Sequence, residues 1–212
     1  MKLRFPVLVF AAVVAAPALT PALTPALTPA WAQSRQQWLS PPNGLPRAEH
    51  GEPAYNLDTL FGALKIAPDE ASAKAIEDRI WALWIASGSD TCSLLMSRVK
   101  AATDAKDYDL AIKLLDAVID IKPDYVEAWN RRATVYYLKQ DYAHSLVDLA
   151  EVLAREPRHF GALSGLGMIL QEIGDDKDAL EAYRKALEID PHLENLPDVV
   201  KTLREKVEGR DI

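Results

Sequence analysis

One cysteine in 212 residues, Cys92, excludes an internal disulfide framework. It stands beside the apolar helical stretch Ser93-Leu94-Leu95-Met96. It therefore reads as a small half-buried side chain, with a reactive or intermolecular thiol as the alternative. Histidine is nearly as scarce. His50, His144, His159 and His192 stand far apart, and none has a metal-ligand spacing. There is no Gly-x-Ser-x-Gly elbow and no glycine-rich phosphate loop. Acid pairs such as Asp175-Asp176 fall on turns and read as helix caps. The chain therefore reads as a non-enzyme, with no catalytic residue, metal or cofactor. Positive charge is short as well. The formal net charge is −7. Without residues 1–32, which hold Lys2 and Arg4 and no acid, it becomes −9. A general nucleic-acid binder needs the opposite balance.

Long apolar runs are also missing. Phe5–Ala16 is the strongest, and it falls below the ~20 residues of a spanning helix. It follows two basic residues, Lys2 and Arg4. A tract of Pro-Ala-Leu-Thr repeats follows it from Pro17 to Thr28, and then comes Ala30-Trp31-Ala32. A basic start, a short apolar run and a small-x-small site predict a secretory signal peptide over 1–32. Cleavage inside the Pro-Ala-Leu-Thr tract is the alternative site. An uncleaved anchor fits poorly, because prolines follow the run. No cysteine is available there for a lipid anchor. The expectation is a protein outside the cytoplasm, periplasmic in a bacterium, with no stable membrane insertion after cleavage.

Residues 33–56 contain Pro41, Pro42, Pro46 and Pro53 with Gly44 and Gly51, and read as a leader. Trp38 and Leu39 are its only substantial apolar pair. Residues 57–91 read as a degenerate helical repeat or cap. Leu57, Leu60, Phe61, Leu64 and Ile66 share one face of a first helix that Pro68 ends. Ala73, Ile76, Ile80, Leu83 and Trp84 share a face of a second, which Ser87-Gly88-Ser89 closes. Trp81 and Trp84 read as core or as a lid on the first full repeat, with an exposed aromatic site as the alternative.

From residue 92 the chain repeats at a step of 34. Trp129, Ala133, Tyr136, Ser145, Leu149, Val152 and Pro157 recur as Leu163, Gly167, Leu170, Ala179, Tyr183, Ala186 and Pro191. They are preceded by Leu95, Val99, Ala102, Ala111, Leu115, Val118 and Pro123. A pattern kept through three copies at one period signals a stacked helical repeat. Each copy, 92–125, 126–159 and 160–193, reads as two antiparallel helices. The turns fall at Ala105-Lys106-Asp107, Lys139-Gln140-Asp141 and Gly174-Asp175-Asp176. Ala111, Ala133, Ser145, Gly167 and Ala179 sit where helices cross and bulk would push them apart. Residues 194–212 hold a capping helix, 197–208, that covers the last apolar face. The fold class is all-α, a right-handed superhelical stack of antiparallel helix pairs.

These residues resemble the tetratricopeptide repeat family. Its pattern of Trp, Leu-Gly and Tyr on helix A, then Ala, aromatic, Ala and Pro on helix B, is followed in the second and third copies. The stretch Asp178-Ala179-Leu180-Glu181-Ala182-Tyr183-Arg184-Lys185-Ala186 is the closest match. The first copy departs on helix A, with Leu95 for Trp and Val99 for Gly. The resemblance implies that the A helices line a concave groove that takes an extended peptide or partner protein. The groove candidates are Lys100, Asn130, Arg131, Thr134, Tyr137, Ser164, Met168 and Gln171. Asn130 has an amide for a peptide backbone. Arg131 could clamp a carboxylate, and Lys100 could add a second charge. An ordinary solvated helix face is the alternative. Some members hold a C-terminal carboxylate with a Lys, Asn and Arg set. Lys100 matches part of it, but Arg131, Gly161 and Gly165 depart from it, so the full clamp is absent. The run Arg155 to Gly161 reads as a repeat hinge, with an acid-binding or pH-responsive site as the alternative.

The functional expectation is an interaction module or adaptor of the bacterial cell envelope, with a protein or peptide partner and no nucleic acid. The alternative is a self-associating structural protein, a homo-oligomer joined through the Trp81/Trp84 helix or the C-terminal cap.

Overall fold

The structure, a computed structural model, describes residues 56–209. The expected signal peptide, the expected leader up to residue 55 and the last three residues lie outside the described residues.

Nine helices run through the described residues: α1 (Leu57–Lys65), α2 (Glu70–Ile85), α3 (Asp90–Asp104), α4 (Tyr108–Ile121), α5 (Val126–Leu138), α6 (Tyr142–Arg155), α7 (Phe160–Glu172), α8 (Asp176–Ile189) and α9 (Leu196–Val207). No strand occurs among the described residues. The pairs α3/α4, α5/α6 and α7/α8 stack in chain order, and α9 closes the end against α8. The architecture is an all-α solenoid of helix pairs.

Local chemistry recurs with the repeat. Asp107, Asp141 and Asp175 each cap a B helix, accepting from the backbone N–H of Leu110, His144 and Asp178. Just before each cap stands a residue in the left-handed region: Lys106 at φ 60°, Gln140 at 61° and Gly174 at 87°. The chain there doubles back. Asp107 N–H reaches Ala102 O at 2.8 Å, Asp141 N–H reaches Tyr136 O at 2.9 Å, and Asp175 N–H reaches Leu170 O at 2.8 Å. These bonds satisfy carbonyls that the ending helix would otherwise leave unpaired. In the third copy the turn proper is Ile173-Gly174-Asp175, one residue earlier than the sequence placed it. Asp176 is already the first residue of α8, because Asp175 takes the cap.

Where helices cross, small residues let the backbones approach. A Cβ on Gly167 would come 2.4 Å from Tyr183 Cε1. Ser145 Oγ donates to Ala133 O at 2.7 Å across its crossing. Arg132 ties three helices together. Its fork grips Asp148 twice at 2.8 Å, and its third nitrogen reaches Asp116 at 2.6 Å. The guanidinium groups of Arg132 and Arg155 both lie against the Trp129 ring, each 4.9 Å from its centroid.

The core has two parts. Cys92, Val99, Leu115, Val118 and Ala128 belong to a cluster around the first pair. A larger cluster joins the second and third pairs, α9, and both N-terminal helices through Leu60, Leu64, Ile80, Trp81 and Trp84. Trp129 packs against both. Trp81 and Trp84 are thus core, but their aromatic partners in the stack, His159 and Phe160, lie at the start of the third pair rather than in the first. Helix α2 reaches α5, and α1 reaches α8.

Candidate functional site

The helix-pair stack presents a series of junctions, each following a B helix: Lys122 to Tyr125, Glu156 to His159, and Asp190 to Leu193. Helix α2 lies along this row. At the first junction, Lys122 Nζ donates to Ser87 O at 2.6 Å and Tyr125 Oη donates to Ile85 O at 2.6 Å. Both bonds satisfy carbonyls where α2 ends, and the ammonium also complements the negative end of that helix. At the second junction, Trp84 stacks on His159 and Trp81 stands edge-on to it. Gly161 makes room for this contact, since a Cβ there would come 2.9 Å from Trp81 Cη2. Helix α1 joins in. Arg158 pairs with Asp58 at 2.6 Å and lies over the ring of Phe61. At the third junction, Glu77 of α2 meets Asp190. From Ile85 to Glu77, about 12 Å of helix thus spans all three junctions. The residues that do this fall at two positions of the 34-residue repeat, Lys122 and Asp190 at one and Tyr125 and His159 at the other. Sequence periodicity marks those positions but carries no sign of what covers them.

The eight groove candidates all lie on the A helices: Lys100 on α3; Asn130, Arg131, Thr134 and Tyr137 on α5; Ser164, Met168 and Gln171 on α7. Helices α5 and α7 are in direct contact. Lys100 faces solvent, its side chain 62% exposed, and pairs with Asp104 at 2.7 Å. Asn130, Thr134, Tyr137, Ser164 and Met168 are each no more than 7% exposed. Their polar atoms are occupied locally. Asn130 Nδ2 donates to Glu127 at 2.9 Å, Thr134 Oγ1 to Asn130 O at 2.9 Å, and Ser164 Oγ to Phe160 O at 2.9 Å. Tyr137 Oη donates to Glu172 at 3.3 Å. Gln171 is half-buried and accepts from Tyr183 Oη at 2.7 Å. Tyr137 and Met168 belong to the same apolar cluster as Trp81 and Trp84.

Glu127, also on α5, is the electrostatic centre of this face. It is fully buried. Its carboxylate accepts from Arg131 Nε at 2.6 Å and Asn130 Nδ2 at 2.9 Å. His159 Nε2 stands 3.7 Å away. Burial pushes the Glu127 carboxyl up, but Arg131, His159 and Asn130 together outweigh it and hold the group below its ordinary value. His159 is itself fixed. Its Nδ1 accepts from the backbone N–H of Ala162 at 3.1 Å, capping α7, so the proton on Nε2 faces Glu127. The rest of the Arg155 to Gly161 run serves the hinge. Arg155 pairs with Glu151, and Arg158 with Glu156 and Asp58. Among the described residues, no group of three or more His, Cys, Asp or Glu side chains is placed to hold a metal ion. No described helix is long and apolar enough to cross a membrane.

The tetratricopeptide repeat pattern matches residues 97–150 and again 161–193. A TPR repeat-containing protein of Rhizobium etli is 40% identical over 163 residues, covering 77% of this chain and 80% of that protein. The chain belongs to the tetratricopeptide repeat family. The TPR domain of Sgt2 from Aspergillus fumigatus superposes with a TM-score of 0.52 at 25% identity, over 57% of this chain and 81% of that one. The first TPR domain of Spaghetti (RPAP3), bound to an HSP90 peptide, gives 0.53 at 18% identity, over 57% of this chain and 95% of that one. Within this TPR chain, three helix pairs and the α9 cap form the solenoid. The α1/α2 hairpin is docked along its junctions.

Proposed function

We propose that this TPR chain is a non-enzymatic interaction module of the bacterial cell envelope, taking an extended segment of a partner protein along its A helices. The reading is supported by the eight candidate residues all falling within the A helices α3, α5 and α7, of which α5 and α7 are in contact. A TPR structure bound to a peptide, that of Spaghetti with its HSP90 peptide, supports the class of ligand. Lys100 is the entry point. Its ammonium is exposed, and its i,i+4 pair with Asp104 is a surface pair of small worth, easily exchanged for a partner carboxylate. The envelope assignment draws on Lys2, Arg4, the apolar run Phe5–Ala16 and the site Ala30-Trp31-Ala32. Self-association through Trp81 and Trp84 has less support, because both rings are buried within the monomer.

A panel of extended peptides, with and without acidic residues, tests the groove reading against the purified full chain. Acidic members should bind the wild type and lose about fivefold or more in affinity with Lys100→Glu, whose exposed site leaves the fold intact. Equal binding by both proteins, with circular dichroism unchanged, would remove the A-helix face from the mechanism.

A further inference from the structure

The docked hairpin carries an arrangement that the repeat fold does not require. Glu77, on the buried face of α2, and Asp190, which ends α8, are both buried at the third junction. They come from different elements and interact directly across the interface. One Asp190 oxygen accepts from the backbone N–H of His192 at 3.0 Å. The other, Oδ2, is buried with no hydrogen-bond partner among the described residues. Two carboxylate anions cannot donate to one another, so a hydrogen bond between these two groups requires a proton on one of them.

We propose that the Glu77–Asp190 carboxyl pair is a proton-dependent latch, holding α1 and the N-terminal half of α2 on the solenoid and releasing them when both groups ionise. The surroundings support a single shared proton. Lys74 reaches Glu77 at 3.3 Å and Asp78 at 3.1 Å, so its half-exposed ammonium is divided between two acids of its own helix. From the junction, His192 faces Asp190, and Asp69 at the start of α2 lies near His192. The pair therefore meets no undivided cation among the described residues. Burial first, and Asp190 second, push the Glu77 carboxyl up to about 7 from an ordinary 4.5, and burial raises Asp190 as well. An acid raised in the docked state binds a proton there that it would release when free. Docking is thus strongest below about pH 4.5, weakens by up to about tenfold per pH unit toward pH 7, and levels off above. At the other end of α2, burial raises the Tyr125 hydroxyl above its ordinary value, so its bond to Ile85 O keeps its proton through this range.

Hydrogen exchange of the full chain between pH 5.5 and 8.5, corrected for intrinsic rates, reads the latch peptide by peptide. Protection of residues 70–80 should fall about tenfold between pH 6 and 8 relative to α5. In Glu77→Gln, whose amide donates to Asp190 at every pH, protection should be high and flat. Asp190→Asn provides the second reading. It keeps the acceptor for His192 N–H, donates to Glu77 and removes the second carboxylate, so its slope should be reduced even should Glu77→Gln fail to fold. A wild type without the pH slope overturns the proposal. So does an undiminished slope in either folded variant, which would move the titration to another group.

Discussion

The indole of Trp84 lies flat on the imidazole of His159, the ring centroids 4.0 Å apart and the planes 6° from parallel. The same imidazole caps α7 and faces Glu127, so one side chain joins the N-terminal hairpin, a helix start and a buried charge. Trp84→Ala should cost about 3–5 kcal/mol, the usual range for emptying a large aromatic site. The urea midpoint would fall accordingly. A loss under about 1 kcal/mol would mean that the stack contributes little.

Breaking the Glu127–Arg131 pair should be costly because Glu127 has no solvent to turn to. A fully buried pair would lose about 3–5 kcal/mol on removal of one partner, and the quarter-exposed Arg131 lowers that expectation for Arg131→Met to about 2–3 kcal/mol. The sign with pH follows from the lowered acid. Its contribution is complete above the ordinary 4.5 of an unfolded glutamate and fades as pH falls below it. Wild-type and Arg131→Met stabilities should therefore converge in acid, as measured by denaturant titrations at pH 7, 5 and 3.

Gln140 holds a left-handed conformation that the third repeat assigns to Gly174. Gln140→Gly should raise stability by up to about 1 kcal/mol, since it removes the Cβ strain at a cost in unfolded-chain entropy. Gly174→Ala should lower it by a similar amount. Paired thermal melts decide the sign, and a destabilised Gln140→Gly would contradict the strain account.

Gly167→Ala should destabilise the third pair by about 1–3 kcal/mol, because the new methyl meets the ring of Tyr183. The double variant Gly167→Ala/Tyr183→Leu should recover part of the loss. No recovery would indicate that the cost lies in the α7 backbone instead.

Fusing residues 1–40 to an alkaline phosphatase that is active only after export should give enzyme activity in a bacterial host. Replacing Leu8 and Val9 with charged residues should abolish it. Activity that survives the charged variant would argue against the export reading.

The solenoid was legible because each repeat position answers a local need. Asp107, Asp141 and Asp175 cap, Gly167 and Ser145 permit close crossing, and Leu115, Leu149 and Tyr183 fill the interior. Such demands act within a turn or between neighbouring helices, so they leave a period. The path of α2 leaves none. Its bonds to the stack join residues 35 and 40 apart in the chain, and α1 adds one at 100. An amphipathic helix records that it has a buried face, not which surface buries it. The same limit applies to Asn130 and Thr134. Helical spacing assigns them to the A-helix face, while their burial depends on Glu127 and on packing that no spacing records.

The route of the hairpin sets an order of events for a growing chain. Trp84 leaves the ribosome about 75 residues ahead of His159, and Glu77 more than a hundred ahead of Asp190. Their ring partners in the stack, His159 and Phe160, come later, so the two tryptophans lack them until most of the chain is made. A simple array of repeats zips from either end and can fray the same way. Here the first helices bind the last ones, which turns the array into a closed loop of dependence with slower, more cooperative formation. Truncation after the second repeat should therefore leave an N-terminal segment for chaperones to hold rather than a shorter version of the same protein.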